Sequence, residues 1–403
     1  MIFSFREMCY DSRRIEVITM NYDAIVVGAG FCGSVIARGL ADKGKKVLLL
    51  EKRNHIAGNM FETIRNNGIR IHKYGPHIFH TNLKEVFDYL KKYSGFYFYE
   101  HRVLGKIDEK LVPIPFNFKS IELLFECEKA ELIKSELKKE FPEEEKVSIL
   151  DLIHHKNKIV KELGEYVYEK VFANYTAKQW EIPIEEIDTS VINRVPVLLG
   201  YDDRYFQDEY QFMPKEGFTK LFENILNHEN ITLELNQEAS LILNVDTENK
   251  KILYNGEEFN GNVIFTGAID QILNYQYGPL PYRSLKLQFE DYEANYYQPV
   301  SVVNYPNEED YTRITEFKYL SNQNKEGFTT ILKEYPRAYD YKNEEHTPYY
   351  VISSDENQAL YNQYYNAVKD INNFYLCGRL AEYKYYNMDA AIKRAMEILE
   401  TIK

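Results

Sequence analysis

The order of apolar and polar positions divides the chain into three styles. From 23 to 27 a short apolar run leads into Gly28-Ala29-Gly30-Phe31-Cys32-Gly33, and a helical pattern starts at Ser34. A second buried run at 47–50 ends in Glu51, eighteen residues after Gly33. Strand, glycine turn, helix and acid-ended strand in this order predict a dinucleotide-binding unit. The glycines allow a tight turn, close pyrophosphate approach and close helix packing, the helix amides face the phosphates, and the carboxylate meets a ribose hydroxyl. From 119 to 175 the pattern becomes helical: Ile149, Leu152, Ile153, Val160, Leu163, Val167 and Val171 recur at three- and four-residue steps, with Ser148 and Asp151 as a start signal. Pro142 and the acidic run 143–145 separate this helix from the one before.

Beyond Pro196 alternation takes over, and β-rich pieces near 231–235, 285–289, 300–303, 329–332 and 349–352 predict an antiparallel sheet. Two later segments return to the opening style. The run 262–266 leads into Gly267, and 374–377 leads into Gly378-Arg379 before a helix over 389–402. The expected fold class is therefore α/β: a discontinuous Rossmann-like domain with an inserted helical bundle and an antiparallel sheet. The expected boundaries are 20–102, 236–280 and 356–403 for the nucleotide-binding domain, 103–200 for the helical domain, and 201–235 with 281–355 for the sheet domain. Residues 1–19 interrupt their apolar pieces with charges, lack the apolar core of a secretion signal, and read as an alternative start or a disordered leader.

Composition narrows the function. A chain of 403 residues can form two or three cooperating cores. A net charge of −13 argues against a nucleic-acid surface, which needs a basic stripe. Cys9, Cys32, Cys127 and Cys377 lack metal-ligand spacing and suit a reducing cytoplasm, so neither a metal nor a disulfide framework is expected. No run approaches the ~18 apolar residues of a membrane span.

The loop Lys52-Arg53-Asn54-His55-Ile56-Ala57-Gly58-Asn59 offers small residues and an amide to a second phosphate or a flavin edge; an ordinary surface loop is the alternative. A late glycine-ended strand favours a flavin over a nicotinamide, with Gly378-Arg379 at the pyrophosphate. His77 and His80 stand three apart beside a Gly-Pro turn; with no third ligand nearby, contact with a cofactor is the better reading than a metal. Tyr175, Thr176 and Trp180, the one tryptophan, suit a flat base such as uracil. Arg194 and Arg313, from separate elements, could clamp a diphosphate. Tyrosine is abundant, 35 residues, and Tyr205, Tyr350 and Tyr385 fall in these regions. Neither a Ser-His-Asp signature nor an acid pair for glycoside hydrolysis appears, which leaves the reactive group to a cofactor.

From residue 20 onward the chain resembles the bacterial UDP-galactopyranose mutases, through GAGFCG, EKRNHIAGN, KYGPHIFHT, NYTAKQW, NRVPV with YDDRYF, MPKEGFT, YTRITE and GRLAEYKYYNMD. The resemblance implies a cytoplasmic homodimer that contracts the ring of a UDP-sugar by covalent catalysis through N5 of reduced FAD, without net redox and in the service of cell-surface polysaccharide. Carried over by motif, Gly28, Gly30, Phe31, Gly33, Glu51, Lys52, Gly58, Asn59, His77, Ile78, Gly378, Arg379, Tyr386, Asn387 and Met388 would contact FAD. Arg194 and Arg313 would clamp the diphosphate, and His77 would order the flavin edge or relay a proton. Tyr175, Thr176 and Trp180 would frame the uridine end, and His101, Phe172, Tyr205, Asn304, Tyr350 and Tyr385 would complete the substrate site. Two positions depart from the family pattern: Asn387 replaces a usual aspartate and His101 a usual asparagine. Both lie where the hexose is expected, so UDP-N-acetylgalactosamine or a dTDP-deoxyhexose stands beside UDP-galactopyranose. The competing classes are a flavin oxidoreductase of the amine oxidase or desaturase type and a flavin-bearing binding protein without catalysis.

Overall fold

The computed structural model describes residues 22–175, 178 and 196–402. The leader and the segment carrying Thr176, Trp180 and Arg194 lie outside the described residues.

Five parallel strands form the nucleotide-binding sheet, in the spatial order Ile231–Leu235, Val47–Glu51, Ala24–Val27, Asn262–Phe265 and Phe374–Leu376. The inner strands are buried on both faces, which is why they read as continuous apolar runs. Ile231–Leu235 corrects the expected boundary at 236, because it pairs in parallel with Val47–Glu51 rather than entering the antiparallel sheet. It is an edge strand with an exposed side, so its alternation reports half-burial, not antiparallel pairing. Helix Phe31–Asp42 runs from the glycine turn and packs against the last helix, Met388–Thr401, so tightly that a Cβ on Gly39 would lie 2.1 Å from Leu399 Cδ2. Helix Phe218–Leu226 also packs on Phe31–Asp42, and Phe31 and Phe222 meet at 4.6 Å.

A seven-stranded sheet stands against this layer, in the order Tyr350–Val351, Tyr282–Tyr292, Thr329–Ala338, Arg313–Glu316, Val302–Asn304, Val103–Ile107, Lys110–Ile114. It is antiparallel except where Val302–Asn304 runs parallel to Val103–Ile107. The last two strands correct the expectation that 103–200 is mainly helical from its start. Their hairpin turns at Asp108 and Glu109 with φ of 46° and 61°. That two-residue geometry favours Asn-Gly, and its Asp-Glu sequence hid the hairpin. Beyond it Phe118–Leu124, Cys127–Glu140, Ile149–Ile153 and Lys158–Val167 form the helical body around a core of their own. Ser148 caps as expected: its Oγ accepts from Asp151 N–H at 3.1 Å and donates to the Asp151 carboxylate at 2.7 Å.

Candidate functional site

The glycines build a cradle from three distant parts of the chain. Gly28 holds φ +97°, and a Cβ there would lie 2.2 Å from Thr266 Oγ1. On Gly33 a Cβ would fall 1.8 Å from the Gly28 carbonyl, on Gly58 3.0 Å from Gly30 Cα, and on Gly378 2.8 Å from Cys32 Sγ. At Gly33 and Gly58 backbone therefore approaches backbone, and at Gly28 and Gly378 it approaches a small side chain, the close packing that a dinucleotide cradle requires. Glu51 is buried; its carboxylate accepts from Ala29 N–H at 2.8 Å and Arg53 N–H at 2.9 Å, tying the first turn to the second loop. Asn59 Oδ1 accepts from the Arg53 guanidinium, which lies over the Tyr74 ring at 4.2 Å. Lys52 is exposed beside this loop.

A second group lies on the seven-stranded sheet. Asn304, Arg313 and Glu334 stand directly opposite one another on three adjacent strands, which puts their side chains on one face. Arg313 Nε donates to Glu334 Oε1 at 2.6 Å; the carboxylate is buried, whereas 26% of the Arg313 side chain is exposed. Burial alone would lower the Arg313 pKa, but Glu334, with Tyr350 and Tyr175, outweighs it and holds the guanidinium charged. Tyr175 and Tyr350 are both raised by burial, with the Arg313 charge opposing.

The two groups meet through histidines and Arg379. His77 is lowered to about 3 by burial, then by His72, with Arg379 and Arg313 adding to it, so its ring is neutral. Its Nδ1 lies 2.9 Å from the Gly75 carbonyl and must donate there, which leaves Nε2 as an acceptor. His101 is also lowered to about 3, by burial and then by Arg313 and His80. It sits against Ser301 Oγ at 3.2 Å and the Tyr205 ring at 5.6 Å. Arg379 donates to the Tyr349 and Tyr386 carbonyls, and its guanidinium lies over Tyr385 at 4.6 Å and Tyr350 at 5.9 Å. The result is a pair of cations among phenols and neutral imidazoles, suited to holding a polyanion while donating hydrogen bonds around it.

Not every expected residue joins this cluster. His80 does not share a site with His77: its Nδ1 lies 2.9 Å from Asp208 Oδ2 and its ring stacks on Phe206 at 3.6 Å. Phe172 is buried in the core of the helical body. Ile78 and Met388 pack against the main core, and Asn387 is exposed at the start of the last helix. Among the described residues no group of three His, Cys, Asp or Glu is placed to hold a metal, and no helix is long and apolar enough to cross a membrane. Glu334, Phe206, Arg53 and Tyr349 were absent from the expected set. Glu334 is recognisable only from strand register, and Tyr349 acts through its carbonyl, which no side-chain pattern reveals.

Comparison with known proteins matches nearly the whole chain. A family model described as UDP-galactopyranose mutase matches residues 170–385, and one described as an NAD(P)-binding Rossmann-like domain matches residues 26–93. The dTDP-fucopyranose mutase of Escherichia coli is 35% identical over 375 residues, 93% of this chain and 96% of that protein. The UDP-galactopyranose mutase of Mycoplasma pneumoniae is 34% identical over 387 residues, 95% of this chain and 96% of the relative. A crystal structure of reduced UDP-galactopyranose mutase superposes with a TM-score of 0.67 at 16% identity, covering 95% of each chain.

Proposed function

The chain belongs to the UDP-galactopyranose mutase family, and from that premise we propose that it interconverts the pyranose and furanose forms of a nucleotide hexose, UDP-galactopyranose first, with reduced FAD as cofactor. One observation carries the reading. Arg313, Arg379, His77, His101, Tyr175 and Tyr350 gather within one another's electrostatic reach from the sheet, the early loop and the residue after Gly378, the last glycine of the cradle.

The residues present fit a flavin dinucleotide. At Gly28, Gly33, Gly58 and Gly378 a Cβ would strike neighbouring protein atoms, so glycine is what draws the three segments together into the cradle that a dinucleotide would occupy. When bound, reduced flavin supplies an electron-rich nitrogen nucleophile for the anomeric carbon and returns unchanged in oxidation state. The chain's own residues do the rest. Arg313, fixed by buried Glu334, neutralises the departing diphosphate; Arg194 is its partner in this reading. Tyr175, Tyr350 and Tyr385 offer phenolic donors to the same oxygens. His77 and His101 stay neutral, so their rings accept or donate hydrogen bonds without adding charge beside the sugar.

The hexose is the open choice, since one relative acts on dTDP-fucopyranose and two on UDP-galactopyranose by name. The deciding experiment incubates dithionite-reduced, FAD-loaded protein with UDP-galactose, UDP-N-acetylgalactosamine and dTDP-fucose, and separates pyranose from furanose products. Furanose formation with catalytic reductant and no oxygen consumption supports the mutase. Stoichiometric oxygen consumption on an amine or alkane, without ring contraction, would replace it with the oxidoreductase reading.

A further inference from the structure

Glu62 and His72 face each other across the two-stranded ribbon of Glu62–Ile64 and Arg70–His72, and both are buried. The carboxylate occupies a built niche. Gly217 holds φ +89°, and a Cβ there would lie 2.1 Å from Glu62 Oε2. Thr219 N–H donates to Oε2 at 3.3 Å, and Thr219 Oγ1 accepts from Glu62 N–H at 2.9 Å, at the start of helix Phe218–Leu226. That helix end favours the anion.

His72 Nδ1 accepts from the backbone N–H of His77 at 3.0 Å. A neutral imidazole carries one N–H, so the proton is on Nε2, which lies buried at ion-pair distance, 3.3 Å, from Glu62 Oε1, without a hydrogen bond between them. The rings of Phe218 and Phe317, 5.8 Å and 5.7 Å away, wall the imidazole on its other sides. Three groups thus stand in series: the negative charge of Glu62 beside Nε2 favours a proton there, the tautomer presents a lone pair on Nδ1, and that lone pair holds the His77 amide. Gly75, at φ +93°, makes the turn that brings His77 back over His72.

We infer that His72, with its tautomer set by Glu62, is a positioning residue that fixes His77 at the mouth of the cradle; this rests on the reading that FAD binds beside His77. A core histidine kept only for packing would be replaceable by any amide of similar bulk, whereas a positioning residue distinguishes between them. His72→Asn keeps an acceptor on Cγ, where Nδ1 stands. His72→Gln keeps a donor near Nε2 and loses that acceptor. Glu62→Gln is the sharpest variant. Its oxygen is claimed by Thr219 N–H, its amide NH2 then faces His72 Nε2, and the forced tautomer sets Nδ1–H against the His77 N–H.

FAD affinity by flavin fluorescence, flavin midpoint potential, and kcat and KM are measured on each FAD-loaded variant. His72→Gln and Glu62→Gln are expected to weaken FAD binding about tenfold, to shift the potential, and to lower kcat with KM for the nucleotide sugar unchanged. His72→Asn is expected to recover most of that loss, to within about threefold of wild type. Equal values for His72→Asn and His72→Gln, or a wild-type Glu62→Gln, overturn the assignment. A separate arm needs no cofactor: with [15N]histidine in the wild-type protein, the His72 nitrogens should report Nε2 protonated and Nδ1 bare, and the opposite tautomer overturns it. Failure of wild type to bind FAD overturns the functional reading instead, and leaves the tautomer result to decide His72.

Discussion

At the scale of single residues, the site depends on one charge held by another. Truncating Arg313 strands a buried Glu334 and removes the cation proposed to face the diphosphate, so Arg313→Ala should lower kcat/KM by about a hundredfold, whereas Arg13→Ala should not. Steady-state kinetics with calorimetry of UDP binding checks this, and equal, mild losses for both variants would remove Arg313 from the clamp. Glu334 itself was not legible: it becomes the partner of Arg313 only because register sets strands Arg313–Glu316 and Thr329–Ala338 side by side. His101 makes a prediction about acid. Its folded pKa of about 3 lies below the usual 6.5, so the stability it contributes is present above pH 6.5 and lost as pH falls toward 3. On this basis wild type should lose ~2 kcal/mol more than His101→Asn between pH 7 and pH 5. Urea unfolding at both pH values measures the difference, and parallel losses would show that the ring is solvated.

Elements were legible where the local pattern had one physical cause. The buried strands Ala24–Val27, Val47–Glu51 and Asn262–Phe265 are apolar except at Glu51 and Asn262 on their ends, because helices and sheet cover both faces. The edge strand Ile231–Leu235 and the Asp108-Glu109 hairpin misled, since an exposed edge alternates like an antiparallel strand and a turn can take left-handed φ without glycine. Helix contact follows the same logic. The crossing of Phe31–Asp42 with Met388–Thr401 leaves no room at Gly39, where the first atom met is the movable end of Leu399. Gly39→Ala should therefore destabilise by about 1–3 kcal/mol, and adding Leu399→Ala should recover part of the loss. Additive losses in thermal unfolding would mean the two helices do not touch there. Gly33→Ala has no such remedy, because its Cβ meets the Gly28 carbonyl at 1.8 Å.

At the scale of the whole molecule, a cofactor held as proposed near residues 28, 58 and 378 would cross-link segments separated by most of the chain. FAD at a hundredfold above its Kd should then raise stability by about 2.7 kcal/mol, and stripping it should lower the melting temperature of the nucleotide-binding layer and the sheet together. Two separated transitions after stripping would mean that the layers are only loosely joined. The sequence by itself determined the glycine turn, the buried parallel strands, the late return to the nucleotide-binding layer and the family, because each rests on short spacings that sterics and burial dictate locally. Only the tertiary structure decided that Glu334 holds Arg313, that His77 and His80 part company, that His72 stands behind His77, and that the cradle closes with Gly378 against Cys32. Those arrangements are set by strand register, by packing and by partners elsewhere in the chain, such as Asp208 for His80 and Glu62 for His72, which no local pattern encodes.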